Sequence, residues 1–261
     1  MNRLERHLKE MKQRGETSAI FFITAGDPSL QETLDIMRAM ADNGADCIEL
    51  GMPFSDPIAD GPTIQRSTAR ALANQVKLGD IFQLVRSFRE DSDTPIVLMG
   101  YYNPIIRHGL RQTVREAQQA GVDGLIVADL PYEEGEEFER VTQKHNISLV
   151  YLLAPDIDPQ RTRNIVQASR GFVYCVSQYS TTGVEGQADT VLPETIHSLK
   201  QMSDLPVALG FGISSLEKAK TMSRYADGII IGSWLIQELE VSNNKPKTAG
   251  EFVRQVKKAI D

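Results

Sequence analysis

The chain is poor in the residues that mark several functional classes. It has two cysteines, Cys47 and Cys175, each inside an apolar strand-like run. They read as buried free thiols in a reducing compartment rather than as a disulfide. Neither has an activating partner nearby in sequence, so thiol catalysis has no support. The four histidines, His7, His108, His145 and His197, are scattered, and no H-x-H, H-E-x-x-H or Cys–His cluster exists. That pattern argues against a metal site. No lysine lies within an apolar strand-like run or at its exit, which argues against a Schiff-base aldolase. No basic stripe is present and the net charge is -7, so a nucleic-acid partner is not expected. No stretch is long and apolar enough to span a membrane. The N-terminus, MNRLERHLKEMKQRGE, is charged and amphipathic rather than a signal peptide, so a cytoplasmic protein is expected. No linker or low-complexity tract divides the chain, and residues 1–261 read as one domain.

What is there is a regular alternation. Leu4, Leu8 and Met11 recur at helical spacing and predict a short opening helix. Eight short apolar runs follow: residues 19–25, 47–51, 96–100, 125–128, 149–153, 172–176, 205–210 and 228–231. Helical segments separate them. Ser29 with Glu32, and Ser214 with Glu217, predict capping boxes, Asp158-Pro159 a helix start, and Thr248 to Ile260 a closing helix. Tyr101-Tyr102-Asn103-Pro104 reads as the exit loop of the third strand. Strands apolar throughout are buried on both faces, hence a parallel sheet. Eight βα units in this length predict a TIM barrel with an extra N-terminal helix. A doubly wound open sheet is the rival, although no G-x-G-x-x-G follows the first strand.

In a barrel the chemistry belongs at the strand ends. The second strand is the informative one. Glu49 lies inside its apolar run, where a carboxylate is costly without a partner or a job. The proline-stiffened loop after it carries Asp56 and Asp60. Glu49 is either an acid–base group or a structural acid paired with an arginine elsewhere. Asp56 reads as a turn residue, Asp60 reads equally as a turn residue or a functional acid, Asp129 as a loop anchor, and Tyr174 as a packed aromatic. At the seventh and eighth strand ends, Gly212, Gly232, Ser214 and Ser233 stand where glycines and helix N-termini either hold a phosphate or simply cap tight turns. With lysine, metal and thiol chemistry disfavoured, carboxylates and phenols point to proton transfer on a phosphorylated substrate without a cofactor.

The motif ELGMPFSDPIADGPTIQ (Glu49 to Gln65) closely resembles the signature of the tryptophan synthase alpha subunit family. FITAGDP (Phe22 to Pro28), YYNPI (Tyr101 to Ile105), VADLP (Val127 to Pro131), GFGIS (Gly210 to Ser214) and Gly232-Ser233 are similar to it too, in order, from the first strand to the last. The resemblance implies retro-aldol cleavage of indole-3-glycerol phosphate to indole and glyceraldehyde 3-phosphate. It implies Glu49 as the mobile acid–base and Asp60 as the acceptor of the indole N–H. Phe22, Leu98 and Leu153 would line the indole pocket, and Tyr174 would lie near the glycerol portion. Gly183, Gly212, Gly232 and Ser233 would hold the phosphate. It further implies a beta subunit carrying pyridoxal phosphate, in an alpha2-beta2 tetramer, faced by Pro53, Asp56, Asn103 and Pro104. Two places depart from the family pattern. The lid reads Ser177-Gln178-Tyr179-Ser180-Thr181-Thr182-Gly183. It keeps as Thr182 the threonine that would close onto Asp60, but has Ser180 and Thr181 where the family usually has glycine and an aliphatic residue. Trp234 stands where a small or aliphatic residue is usual, and reads as helix packing. A stand-alone indole lyase and a non-catalytic activator of a beta subunit are the alternative readings.

Overall fold

The computed structural model describes residues 1–154, 158–176, 188–210 and 212–260, with backbone only over 188–192. The expected lid, with Thr182 and Gly183, and Phe211 lie outside the described residues. Among the described residues are nine strands and twelve α-helices. The strands are β1 (Ser18–Thr24), β2 (Cys47–Gly51), β3 (Ile96–Gly100), β4 (Gly124–Val127), β5 (Ser148–Val150), β6 (Leu152–Leu153), β7 (Val173–Val176), β8 (Val207–Gly210) and β9 (Gly228–Ile231). The helices are α1 (Arg3–Arg14), α2 (Leu30–Asp42), α3 (Pro62–Ala73), α4 (Leu78–Arg89), α5 (Tyr102–His108), α6 (Leu110–Ala120), α7 (Glu136–Lys144), α8 (Pro159–Ala168), α9 (Ala188–Met202), α10 (Leu216–Ser223), α11 (Ser233–Val241) and α12 (Lys245–Ile260). No helix is long and apolar enough to cross a membrane among the described residues.

All neighbouring strands pair in parallel, in the order β5-β4-β3-β2-β1-β9-β8-β7-β6. The two ends of that order meet at Tyr151, which separates β5 from β6. The predicted fifth strand is therefore one stave in two pieces: β5 pairs with β4 and β6 with β7. That closes an eight-stave (β/α)8 barrel, as expected, and rules out the open sheet. The strands are buried along nearly their whole length because helices cover the outside and side chains fill the inside. α12 packs on this shell through Phe252, edge-on to Phe21 at 6.2 Å and to Trp234 at 4.5 Å. Trp234 is thus a helix-packing residue.

Some boundaries differ from expectation. The 101–104 segment is not a loop: Tyr101 caps α5, which contains Asn103 and Pro104. Pro104 falls in the first turn, where a missing N–H breaks no helical hydrogen bond. The cap of α10 is Ser215, whose hydroxyl accepts the Lys218 N–H, not Ser214. Two adjacent serines are equivalent by pattern, and the tertiary path selects the second. α12 begins at Lys245, three residues before the expected start.

A threefold device secures the barrel's N-terminal end. Asp46, Asp123 and Asp227 each immediately precede a strand. Each donates its N–H to the carbonyl of a residue on the neighbouring strand, and accepts that residue's N–H on its carboxylate. The partners are Ala19, Ile96 and Val207, at 2.8 to 3.0 Å. α1 lies across this end. Leu4, Leu8 and Met11 are buried, while Arg3, His7 and Lys12 reach Asp123, Asp46 and Asp227 in turn. The recurring Ala-Asp or Val-Asp before an apolar run is the sequence signal for it. Around Asp123 the carboxylate is pushed up by burial, and the Arg89 guanidinium, also buried, is lowered to about 10. For both groups the desolvation cost exceeds what the other charge returns, so the pair orients the strands more than it stabilises them. Breaking it is another matter. Asp123→Ala leaves Arg89, Arg3 and the Ile96 N–H without their shared acceptor. It is expected to cost about 3–5 kcal/mol, read as a lower urea midpoint at unchanged slope. A loss below about 1 kcal/mol would place the pair with ordinary surface bridges.

Candidate active site

The mouth at the strands' C-terminal ends holds a cavity of about 440 Å³. Glu49 stands at the middle of β2, with Phe22 of β1 and Val97 of β3 beside it in register. The three sit on the same face of their strands, so Glu49 shares the barrel interior with Phe22. Its side chain is 1% exposed, and Oε2 has no hydrogen-bond partner among the described residues. Among the described residues no arginine meets it, so the structural ion-pair reading has no support. Burial, with the nearby charge of Asp60 adding to it, raises the Glu49 pKa to about 8.

Asp60 is delivered by the loop after β2. That loop folds on itself through the Ile58 N–H to the Asp56 carbonyl and the Asp60 N–H to the Pro57 carbonyl. Asp60 then stands just before Gly61, the N-cap of α3, with Pro62 at the first helical position. A carboxylate there is favoured by the helix N-terminus. Tyr101, just after β3, fixes this loop: its hydroxyl accepts the Ala59 N–H at 3.0 Å and lies beside the Asp60 carboxyl. Burial raises Asp60, and the neighbouring Tyr101 hydroxyl works against that rise. Burial thus raises both acids, but Glu49 is sealed from solvent while Asp60 is half-buried. Glu49 is the one kept protonated at neutral pH.

The rest of the lining divides by strand. Phe22, Met99 and Ile230 come from β1, β3 and β9, and Ile64 from the first turn of α3. Tyr174 of β7 lines the cavity, and burial raises its phenol well above its usual range. Gly212, Ile213, Gly232 and Ser233 form the side next to α11. Gly212 has φ +76°, a left-handed conformation that suits glycine. Gly232 is needed for space, since a Cβ there would stand 3.2 Å from the Phe22 Cβ. Because β1 lies between β2 and β9, Phe22 sits between the strand bearing Glu49 and the strand that leads into Ser233.

Of the residues singled out from sequence, the cavity brings together Glu49, Asp60, Phe22, Tyr174, Gly212, Gly232 and Ser233. Leu98 and Leu153 are fully buried in the barrel but outside this lining. Pro53 and Pro104 are half-buried; Asp56 and Asn103 are exposed, the Asp56 carboxylate taking the Ser55 hydroxyl. Asp129 anchors a loop, accepting the Tyr102 N–H at 2.7 Å. Sequence reasoning places Tyr101 at a strand end without a role, and passes over Ile64, Met99 and Ile230. The signal for Ile64 is its place four residues after Asp60, in the first turn of the helix. Among the described residues no group of three or more His, Cys, Asp and Glu side chains is placed to hold a metal ion.

The protonated Glu49 has a thermodynamic consequence. Its folded pKa lies above the unfolded value of about 4.5, so between there and about 8 the folded state binds the extra proton. Stability therefore falls as pH rises through that window, by up to about 1.4 kcal/mol per pH unit. Glu49→Gln removes this slope. The variant's stability relative to the parent is expected to grow by several kcal/mol between pH 5 and pH 8 in urea titrations. A pH-independent difference would mean that Glu49 titrates normally.

The family model described as tryptophan synthase alpha chain matches residues 8–260. The chain is 42% identical to the tryptophan synthase alpha chain of Caldanaerobacter subterraneus over 263 residues, covering 100% of each. It is 41% identical to that of Thermoanaerobacter sp., again over 100% of each. The tryptophan synthase subunit alpha from Legionella pneumophila superposes with a TM-score of 0.93 at 37% identity, covering 100% of this chain and 99% of that one. A ligand-free tryptophan synthase from M. tuberculosis gives 0.88 at 32%, covering 98% and 100%.

Proposed function

The chain belongs to the tryptophan synthase alpha chain family, lyases that cleave indole-3-glycerol phosphate in tryptophan biosynthesis and work with a beta subunit, and on that premise we propose that Glu49 and Asp60 carry the reaction between them. The observation that carries this reading is the buried carboxyl of Glu49, one oxygen of which has no partner among the described residues, sharing one cavity with Asp60.

Neutral Glu49 donates its proton to indole C3. The positive charge this leaves is shared with the indole nitrogen, and the Asp60 carboxylate accepts the N–H and balances it. Glu49, now ionised in a site that disfavours its charge, takes the proton of the glycerol hydroxyl next to the ring. The C–C bond then breaks. Its electron pair returns to the ring, the oxygen closes to an aldehyde, and indole and glyceraldehyde 3-phosphate leave. Glu49 is protonated again, so no net proton is consumed. One group that gives and then takes is best tuned close to working pH, which a value of about 8 satisfies.

Phe22, Ile64, Met99 and Ile230 enclose the indole, and Leu98 and Leu153, on the other face of their strands, pack outside that lining. Tyr174 lies against the glycerol portion. Backbone N–H groups of Gly212, Gly232 and Ser233 hold the phosphate at the start of α11, where the helix favours an anion. By motif, Thr182 closes onto Asp60 and Gly183 adds to the phosphate site. The residues 1–261 act as one domain, in the cytoplasm, within an alpha2-beta2 tetramer. The surface offered to the beta subunit is the loop with Pro53 and Asp56 together with Asn103 and Pro104 of α5. Support for it comes from Ile58, an apolar side chain 83% exposed in the same loop.

Indole release from indole-3-glycerol phosphate, by the chain alone and with a beta subunit, tests the reading. Slow turnover that rises strongly with the partner is expected. Fast turnover indifferent to the partner would make the chain a stand-alone lyase, and none under either condition a non-catalytic activator. Glu49→Gln is expected to lower kcat by about 10²–10⁴-fold or more. The parent's kcat/KM should be bell-shaped in pH. It falls above about 8 as Glu49 loses the proton it must donate, and falls in acid as Asp60 loses its charge. A profile without the alkaline limb would remove Glu49 as the acid.

A further inference from the structure

We propose that Arg70 is a positioning residue that holds the acid-bearing side of the cavity at a fixed distance from its phosphate side. The inference rests on the preceding assignment of those two sides. It starts from how α3 and α11 meet. Each helix begins at the cavity, α3 just after Asp60 and α11 at Ser233, and they run side by side in the same direction. Gln237 of α11 donates to the Thr63 hydroxyl at 3.2 Å. One turn further, Arg66 donates to both oxygens of Glu240, at 3.3 and 3.0 Å. Arg70, a turn beyond, donates Nη1 to the same Glu240 at 2.8 Å.

Arg70 also faces a third wall. Its Nε and Nη2 take the two oxygens of Asp27, each at 2.7 Å, and Ser67 donates to that carboxylate at 2.5 Å. Asp27 lies in the turn after β1, the strand that carries Phe22. Asn74, at the end of α3, donates to the carbonyls of Gly26 and Pro28 in the same turn. One guanidinium thus joins the β1 exit, the helix behind Asp60 and the helix that begins the phosphate site. A planar fork serves two carboxylates at fixed angles; an ammonium does not. Arg70 and Glu240 are each about one-third exposed, and ion pairs that wet add little stability. The arrangement therefore reads as geometry: a substrate anchored at both ends feels the spacing between the helices, and one anchored at a single end does not.

The test uses the full chain with its beta subunit and two ligands. Glycerol 3-phosphate touches the phosphate side alone, whereas a non-cleavable indole-3-alkyl phosphate spans both. For Arg70→Met, calorimetric Kd for the spanning ligand is expected to rise about tenfold, with that for glycerol 3-phosphate changed by less than about twofold. The kcat/KM for indole-3-glycerol phosphate should fall about 10- to 100-fold. Arg70→Lys should fall in between, and Glu240→Gln, which removes only the more exposed arm, should move the same pair of Kd values in the same sense. Should Arg70→Met not fold, Glu240→Gln carries the comparison. Parallel weakening of both ligands, or no change in either, overturns the positioning role while the parent still cleaves. A parent that neither cleaves the substrate nor binds the spanning ligand overturns the functional reading itself, and the proposal with it.

Discussion

A carboxyl group stripped of water and given no counter-charge is the constraint on which this molecule turns. Glu49 sits in the middle of a strand whose neighbours on both sides are apolar, and its free oxygen opens on a cavity rather than on an arginine. Burial of that kind is tolerable only in a rigid, closed scaffold that cannot relax to hydrate the group or to pair it. The barrel supplies this: every stave is hydrogen-bonded on both sides, with the last gap closed at Tyr151.

The two ends of the barrel treat acids in opposite ways. At the N-terminal end Asp46 and Asp123 are buried and Asp227 is half-buried, but each has a strand N–H and cations around it. Their charge is spent on orienting strands and holding α1. At the C-terminal end the two acids of the cavity are kept apart from cations: among the described residues neither Glu49 nor Asp60 meets one, and Asp60 lies beside a phenol. A paired acid would be inert at neutral pH, while an unpaired one stays protonated and ready to transfer. Stability is thus concentrated at one end and reactivity at the other, as barrels of this class divide them.

Much of this was open to reading in the sequence. Apolar runs separated by amphipathic segments specify parallel, twice-covered strands, because period and burial are local properties of the chain. An acid inside such a run is legible for the same reason, and the 49–65 motif identifies its family. Misreadings fell where two local signals were equal. Ser214 and Ser215 cap equally well by pattern, and Tyr101 to Pro104 looks like a loop because it is made of aromatic, amide and proline residues rather than helix formers. Leu98 was expected in the cavity wall, and Met99, its neighbour on the opposite face of β3, is there instead. A one-residue shift along a strand changes which side of the sheet a side chain occupies.

The sequence by itself determined the alternation of strands and helices, the parallel sheet, the position of the buried acid and the family. Each of these is written in contiguous residues. The tertiary structure alone decided that the sheet closes, that one oxygen of Glu49 meets no partner among the described residues while Asp60 lies beside Tyr101, and that Arg70 reaches Asp27 and Glu240 at once. Those facts join residues up to 170 positions apart. Such contacts depend on how whole elements pack, and no local propensity encodes where a distant side chain will arrive.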